Sequence, residues 1–79
     1  MSISNQDVIE LIQKGIPDTT TVEVNGDGYK YETTVVSPSF EGLNTLKRHQ
    51  AIYAAVDSAI TSGELHALTI HAKTPDEAK

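Results

Sequence analysis

The period of the apolar positions changes several times along the chain, and each change marks an element. Val8, Ile9, Leu11 and Ile12 recur at helical spacing, which predicts a short amphipathic helix. Ser4 is its cap, Asp7 can reach back as a capping-box acid, and Ile3 can staple onto Val8. Gly15 is expected in a left-handed cap, with Ile16 folded back on Leu11 and Pro17 preventing continuation. From Thr20 to Val24 the period falls to two and the residues become β-branched, as in a strand. Asn25-Gly26-Asp27-Gly28 signals a tight turn. Alternation then resumes from Tyr29 to Ser37, with Tyr29, Tyr31, Thr33 and Val35 on one side. Pro38 ends this second strand, and Ser39-Phe40-Glu41-Gly42 carries the chain onward.

A long helix is expected from about Asn44 to Thr61. Leu46, His49, Ile52, Tyr53, Val56, Ala59 and Ile60 share one face at helical spacing, and the aliphatic members are expected in the core. Tyr53 would pack its ring and send its hydroxyl to a partner or to the edge. After the Gly63 stop, Leu65 to Ala72 reads as a strand carrying two histidines. Alternation places His66, Leu68, Ile70 and Ala72 on the more apolar face, and Leu65, Ala67, Thr69 and His71 on the other. His66 thus lies at the start of the strand, where its ring can reach the rim as a ligand or acid–base group or, on the strand alone, pack as a structural histidine bonded to a nearby carbonyl; His71 faces solvent. Thr74-Pro75-Asp76-Glu77 has the pattern of another helix start, with room for barely one turn in residues 74–79.

The order helix, strand, strand, helix, strand predicts an α+β fold with a three-stranded mixed sheet and both main helices on one face. A hairpin followed by a right-handed crossover makes the third strand parallel to the second. Parallel neighbours start at the same edge, so His66 is expected beside Asp27, Gly28, Tyr29 and Lys30.

Composition narrows the functional classes. Seventy-nine residues make one domain, 1–79. There is no cysteine, hence no disulfide, thiolate metal site or thiol nucleophile. Such a composition suits a reducing cytoplasm. The chain starts at Met1 with polar residues, and no apolar run approaches a signal core or a membrane span. A net charge of −5 opposes a main role in phosphate neutralisation. Lys47-Arg48 is nevertheless an adjacent basic pair in the first turn of a helix, where cations oppose the dipole. A docking patch for an anionic partner would explain the pair, with Lys30 and Lys73 as the nearest additions; an ordinary solvated face is the simpler alternative.

No enzyme is expected. The Gly26-x-Gly28 pair joins two strands and opens no helix, so it is not a dinucleotide fingerprint. No serine or threonine has a predictable base and orienting acid, and no histidine or carboxylate spacing suits a self-contained metal site. A single histidine could complete a metal or cluster site whose other ligands come from a second protein.

Four segments together carry a family resemblance. Val24-Asn25-Gly26-Asp27-Gly28, Ser39-Phe40-Glu41-Gly42, Lys47-Arg48-His49-Gln50-x-x-Tyr53 and Gly63-Glu64-Leu65-His66-Ala67-Leu68-Thr69-Ile70, continued by Ala72-Lys73-Thr74-Pro75, resemble the BolA family. The small YrbA/IbaG branch is the most similar. The resemblance implies an αββαβ fold similar to type II KH domains, and partnership with a monothiol glutaredoxin around a shared [2Fe–2S] cluster. It implies that His66 is the cluster ligand, with thiolates from the glutaredoxin and its glutathione. The family's second histidine or cysteine falls at or near Lys30, whose ammonium cannot take that role. The turn residues Gly26, Asp27, Gly28, Tyr29 and Lys30, together with Lys47, Arg48 and Lys73, are the expected partner-binding residues. The alternative function implied is a nucleic-acid-binding transcriptional regulator of stress response and cell morphology. Against that alternative, no Gly-x-x-Gly clamp is present. Homodimerisation and weak nucleic-acid binding are kept as further associations.

Overall fold

The computed structural model describes residues 3–78; Lys79, the end of the expected C-terminal stub, lies outside the described residues. Helix α1 (Asn5–Gly15) is followed by β1 (Thr21–Gly26), β2 (Lys30–Val36), a 3-10 turn (Pro38–Phe40), α2 (Thr45–Ala55), α3 (Asp57–Thr61) and β3 (Ala67–Lys73). The strands lie in the order β1-β2-β3, with β1 antiparallel and β3 parallel to β2. This is the expected α+β architecture.

Register explains why one face is covered. Val22 pairs with Val35 and Val24 with Thr33, while Tyr31, Thr33 and Val35 pair with Leu68, Ile70 and Ala72. Paired residues project to the same side, and Val8 and Ile12 of α1 and Ile52 of α2 close over these strands as fully buried core. The other face carries Glu23, Asn25, Glu32, Thr69 and His71, all exposed.

Ser4 caps α1 as expected, and Asn44, expected only as the approximate start of the long helix, caps α2. Ser4 Oγ accepts from the Asp7 N–H at 3.0 Å, and Asn44 Oδ1 accepts from the Lys47 N–H at 2.9 Å. Each such cap contributes about 1 kcal/mol. At the C-terminus the Thr74 N–H donates to Glu77 Oε1 at 2.9 Å, and the Glu77 N–H donates to Thr74 Oγ1 at 3.3 Å. That capping box closes a single turn.

Three expectations are corrected. Gly15 is not left-handed, since the positive-φ glycines are Gly28, Gly42 and Gly63. A Cβ on Gly15 would lie 2.5 Å from the Ala55 Cβ, so this glycine lets α1 and α2 approach closely. The long helix is also broken: Val56 leaves helical geometry (φ −107°, ψ 13°) between α2 and α3. Its buried stripe is Ile52, Val56 and Ala59, while Leu46, Tyr53 and Ile60 are 65%, 42% and 40% exposed. Contact through the small residues Gly15 and Ala55 turns α2 toward α1 and leaves the 46–53–60 flank outside. Finally, Leu65 is buried because β3 starts only at Ala67. Before that point the Leu65 N–H donates to the Ala59 carbonyl at 3.1 Å, outside strand alternation. No helix among the described residues is long and apolar enough to cross a membrane.

Candidate functional site

Asp27 organises the turn between β1 and β2. Its Oδ1 accepts from the Lys30 N–H at 2.8 Å and from the Tyr29 N–H at 2.9 Å. Those two amides, Lys30 first, hold the Asp27 carboxyl below its ordinary range, because hydrogen bonds to a carboxylate favour its charged form. Gly28 adopts φ 92°, a conformation that other residues rarely take. The chain therefore leaves the turn in a fixed direction, with Tyr29 65% exposed. Gly26 has a packing role here, since a Cβ on it would meet the Tyr31 ring at 2.3 Å. The Tyr31 hydroxyl donates to the Ile3 carbonyl beneath.

Lys30 pairs with Ala67 across the parallel strands. One step back along the same register brings Tyr29 beside His66. Their rings stack with centroids 5.7 Å apart and planes inclined by 25°. Tyr29 and His66 lie just ahead of β2 and β3, next to Lys30 and Ala67, and both are exposed. The expected meeting of His66 with the glycine turn is therefore present. Tyr29 is among the residues expected beside His66, but the stacking of the two rings is visible only in the structure. Among the described residues no hydrogen bond or ion pair engages the His66 imidazole.

The other histidines are placed differently. His71 Nε2 lies 3.0 Å from Glu32 Oε2 on the uncovered sheet face, and His49 is half-buried on α2. No group of three histidine, aspartate or glutamate side chains among the described residues could hold a metal ion. His66 can thus offer one nitrogen to a metal but cannot chelate one with its neighbours.

The basic residues divide between the two ends of the sheet. Lys30 pairs with Ala67 at the end of the sheet that carries His66, whereas Lys73 pairs with Val36 at the far end. Arg48 belongs to that far end as well. Its Nε donates to the Leu43 carbonyl at 2.9 Å, and one terminal nitrogen donates to the Ala72 carbonyl at 3.2 Å. The guanidinium also forms a two-pronged pair with Glu77, at 2.6 and 3.3 Å. The first-turn arginine is therefore explained by these ties, and only Lys47 of the basic pair is exposed. Arg48, ahead of the Thr74 amide, holds the Glu77 carboxyl below its usual range. Nearby, Asp18 accepts from Ser39 and Ser37, which lowers its own pKa, Ser39 contributing most. With the turn at one end and Arg48 at the other, about 16 Å of strand separates them. They do not form one surface.

Comparison with known proteins follows this geometry. Residues 11–77 match the family described as BolA-like protein. A protein from the rpoN–murA intergenic region of Acinetobacter guillouiae is 37% identical over 75 residues, covering 95% of this chain and 89% of its own. The acid stress protein IbaG of Escherichia coli K12 is 34% identical over 56 residues, covering 71% and 67% respectively. The structure of a bolA protein homologue from Coxiella burnetii superposes with a TM-score of 0.86 at 34% identity, covering 96% of each chain.

Proposed function

The chain belongs to the BolA-like protein family, and from that premise we propose that it is a non-enzymatic adaptor in iron–sulfur cluster trafficking or iron sensing. It binds a monothiol glutaredoxin and shares a [2Fe–2S] cluster through His66. The observation that carries this reading is the exposed imidazole of His66, without a hydrogen bond among the described residues, on the rim formed with the Asp27 turn. A lone nitrogen donor suits a site completed by a second molecule. Because the chain has no cysteine, the thiolates come from the glutaredoxin and its glutathione. Imidazole in place of thiolate raises a cluster's reduction potential, so this ligand tunes the cluster as well as holding it.

Docking centres on the Gly26–Lys30 turn, with the Tyr29 ring stacked on His66 and Lys30 at the same end of the sheet. Lys47 and Lys73 add charge at the opposite end, where a large partner could reach them. The Escherichia coli relative is named for acid stress, and we extend a stress-response role to this chain on that basis. The reading places adaptor and glutaredoxin together in the cytoplasm. The nucleic-acid alternative loses ground, because Arg48 is committed to Glu77 and to two carbonyls.

The test is co-purification with a monothiol glutaredoxin, with and without iron, followed by visible spectroscopy. An iron-dependent complex with cluster absorbance is expected. A chain that shows no glutaredoxin binding but a salt-sensitive affinity for DNA would replace this reading with the regulatory one.

A further inference from the structure

We propose that Tyr29 is a positioning residue for His66, holding the imidazole by stacking in the orientation in which it meets its metal. The inference rests on the ligand reading above and adds what sets the ligand's geometry. Metal-bound histidines usually have the ring fixed by a hydrogen bond from the second nitrogen to a carbonyl or carboxylate. His66 has no such bond among the described residues. What it has is an aromatic neighbour at 5.7 Å and 25°, within the range of offset-stacked pairs.

Stacking does something a hydrogen bond cannot. It restricts rotation of the ring while both nitrogens, which lie on the ring edge, remain available. It also covers one face of the imidazole and so leaves the other to an incoming partner. Tyr29 is suited to this because its backbone is itself fixed, through the Tyr29 and Lys30 amides donated to Asp27. The order of cause runs from the Asp27 carboxylate to the Tyr29 backbone, then to the Tyr29 ring and finally to His66. Core packing does not account for the tyrosine, since it is 65% exposed.

The experiment compares Tyr29→Phe, Tyr29→Leu and His66→Ala with the unaltered chain. On the isolated protein, proton NMR of the His66 ring reads the stack through its ring-current shift. That shift is expected to persist in Tyr29→Phe and to disappear in Tyr29→Leu, with the melting temperature unchanged in both. In the reduced cluster complex with glutaredoxin, pulsed electron paramagnetic resonance reads the nitrogen coupling. One narrow coupling is expected in the unaltered protein and in Tyr29→Phe. In Tyr29→Leu it should broaden, and loss of the cluster to a chelator should quicken about threefold to tenfold, the range that an aromatic pair can supply. A Tyr29→Leu complex with the unaltered coupling and chelator rate overturns the proposal, and a lowered melting temperature alongside them assigns Tyr29 a purely structural role. His66→Ala separates the two readings: if it keeps the nitrogen coupling, His66 is not the ligand. If it alone loses the coupling, the ligand reading stands and the positioning role of Tyr29 falls.

Discussion

The two ends of the sheet are made from the same three strands but are held in opposite ways. At the end where β1 begins and β2 and β3 finish, polar groups tie every strand to its surroundings. Asp18 joins Ser37 and Ser39, and the Ser37 amide donates to the Lys73 carbonyl at 3.0 Å. Arg48 reaches across to Ala72 and Glu77. At the other end a five-residue turn hangs from one carboxylate, and two aromatic rings lean on each other in solvent. Ionic and hydrogen-bonded closure is concentrated at the end away from His66. The His66 end keeps an exposed imidazole whose contact among the described residues is the Tyr29 ring, which is the arrangement the proposed shared site would use.

If this division is right, the largest loss of stability comes from the closed end. Arg48→Ala should lower stability by about 2 kcal/mol, since the Leu43 and Ala72 carbonyls lose a charged donor. Denaturant unfolding measures the loss, and the Tyr29–His66 ring-current shift should survive it. Arg48→Lys should restore little, because an ammonium cannot reproduce the two-pronged geometry. Lys47→Glu, by contrast, should leave stability intact and weaken only partner binding.

Ser37→Ala should cost less, about 1 kcal/mol, for one buried hydroxyl that both donates to Asp18 and accepts from the Ser39 amide. An equal loss from Tyr29→Leu would erase the contrast between the ends.

Acid should distinguish the ends by their carboxylates. Glu77 and Asp18 are held below their ordinary values of 4.5 and 3.8, so the folded chain binds these protons less readily than the unfolded one. Their stabilisation is complete above the ordinary values and is lost as pH falls through the lowered ones. Glu77→Gln should therefore flatten the fall of melting temperature in acid. Asp27 follows the same sign from 3.8 at the His66 end. Asp27→Asn should flatten the acid dependence of the Tyr29–His66 ring-current shift and leave most of the melting curve's acid dependence in place.

Much of this arrangement is legible in local sequence, and the exceptions share a physical reason. Ser4 and the Thr74–Glu77 box act on amides within four residues, so their patterns suffice. Parallel pairing of β2 with β3 follows from element order and the handedness of the crossover, and this already brings His66 to the turn. The remaining features depend on what a residue meets far along the chain. Gly15 reads as a helix terminator until Ala55 is seen against it. Arg48 reads as an exposed cation until Glu77, 29 residues away, is found beside it. The stripe from Leu46 to Ile60 reads as a single core face because periodicity alone does not report the break at Val56 or which flank α1 covers. Leu65 illustrates the same limit, since alternation holds only where a strand has begun.

The smallest structural effect is expected at the residue with the greatest functional one. His66→Ala should change folding stability by less than about 0.5 kcal/mol, as for other exposed substitutions, and His71→Ala should do no more than remove the exposed contact with Glu32. The decisive measurement is pulsed electron paramagnetic resonance of the reduced cluster complex formed by each of these variants with a monothiol glutaredoxin. The account predicts that the histidine-nitrogen coupling vanishes in His66→Ala and persists in His71→Ala. A coupling that survives in His66→Ala, or that is lost only in His71→Ala, would contradict it.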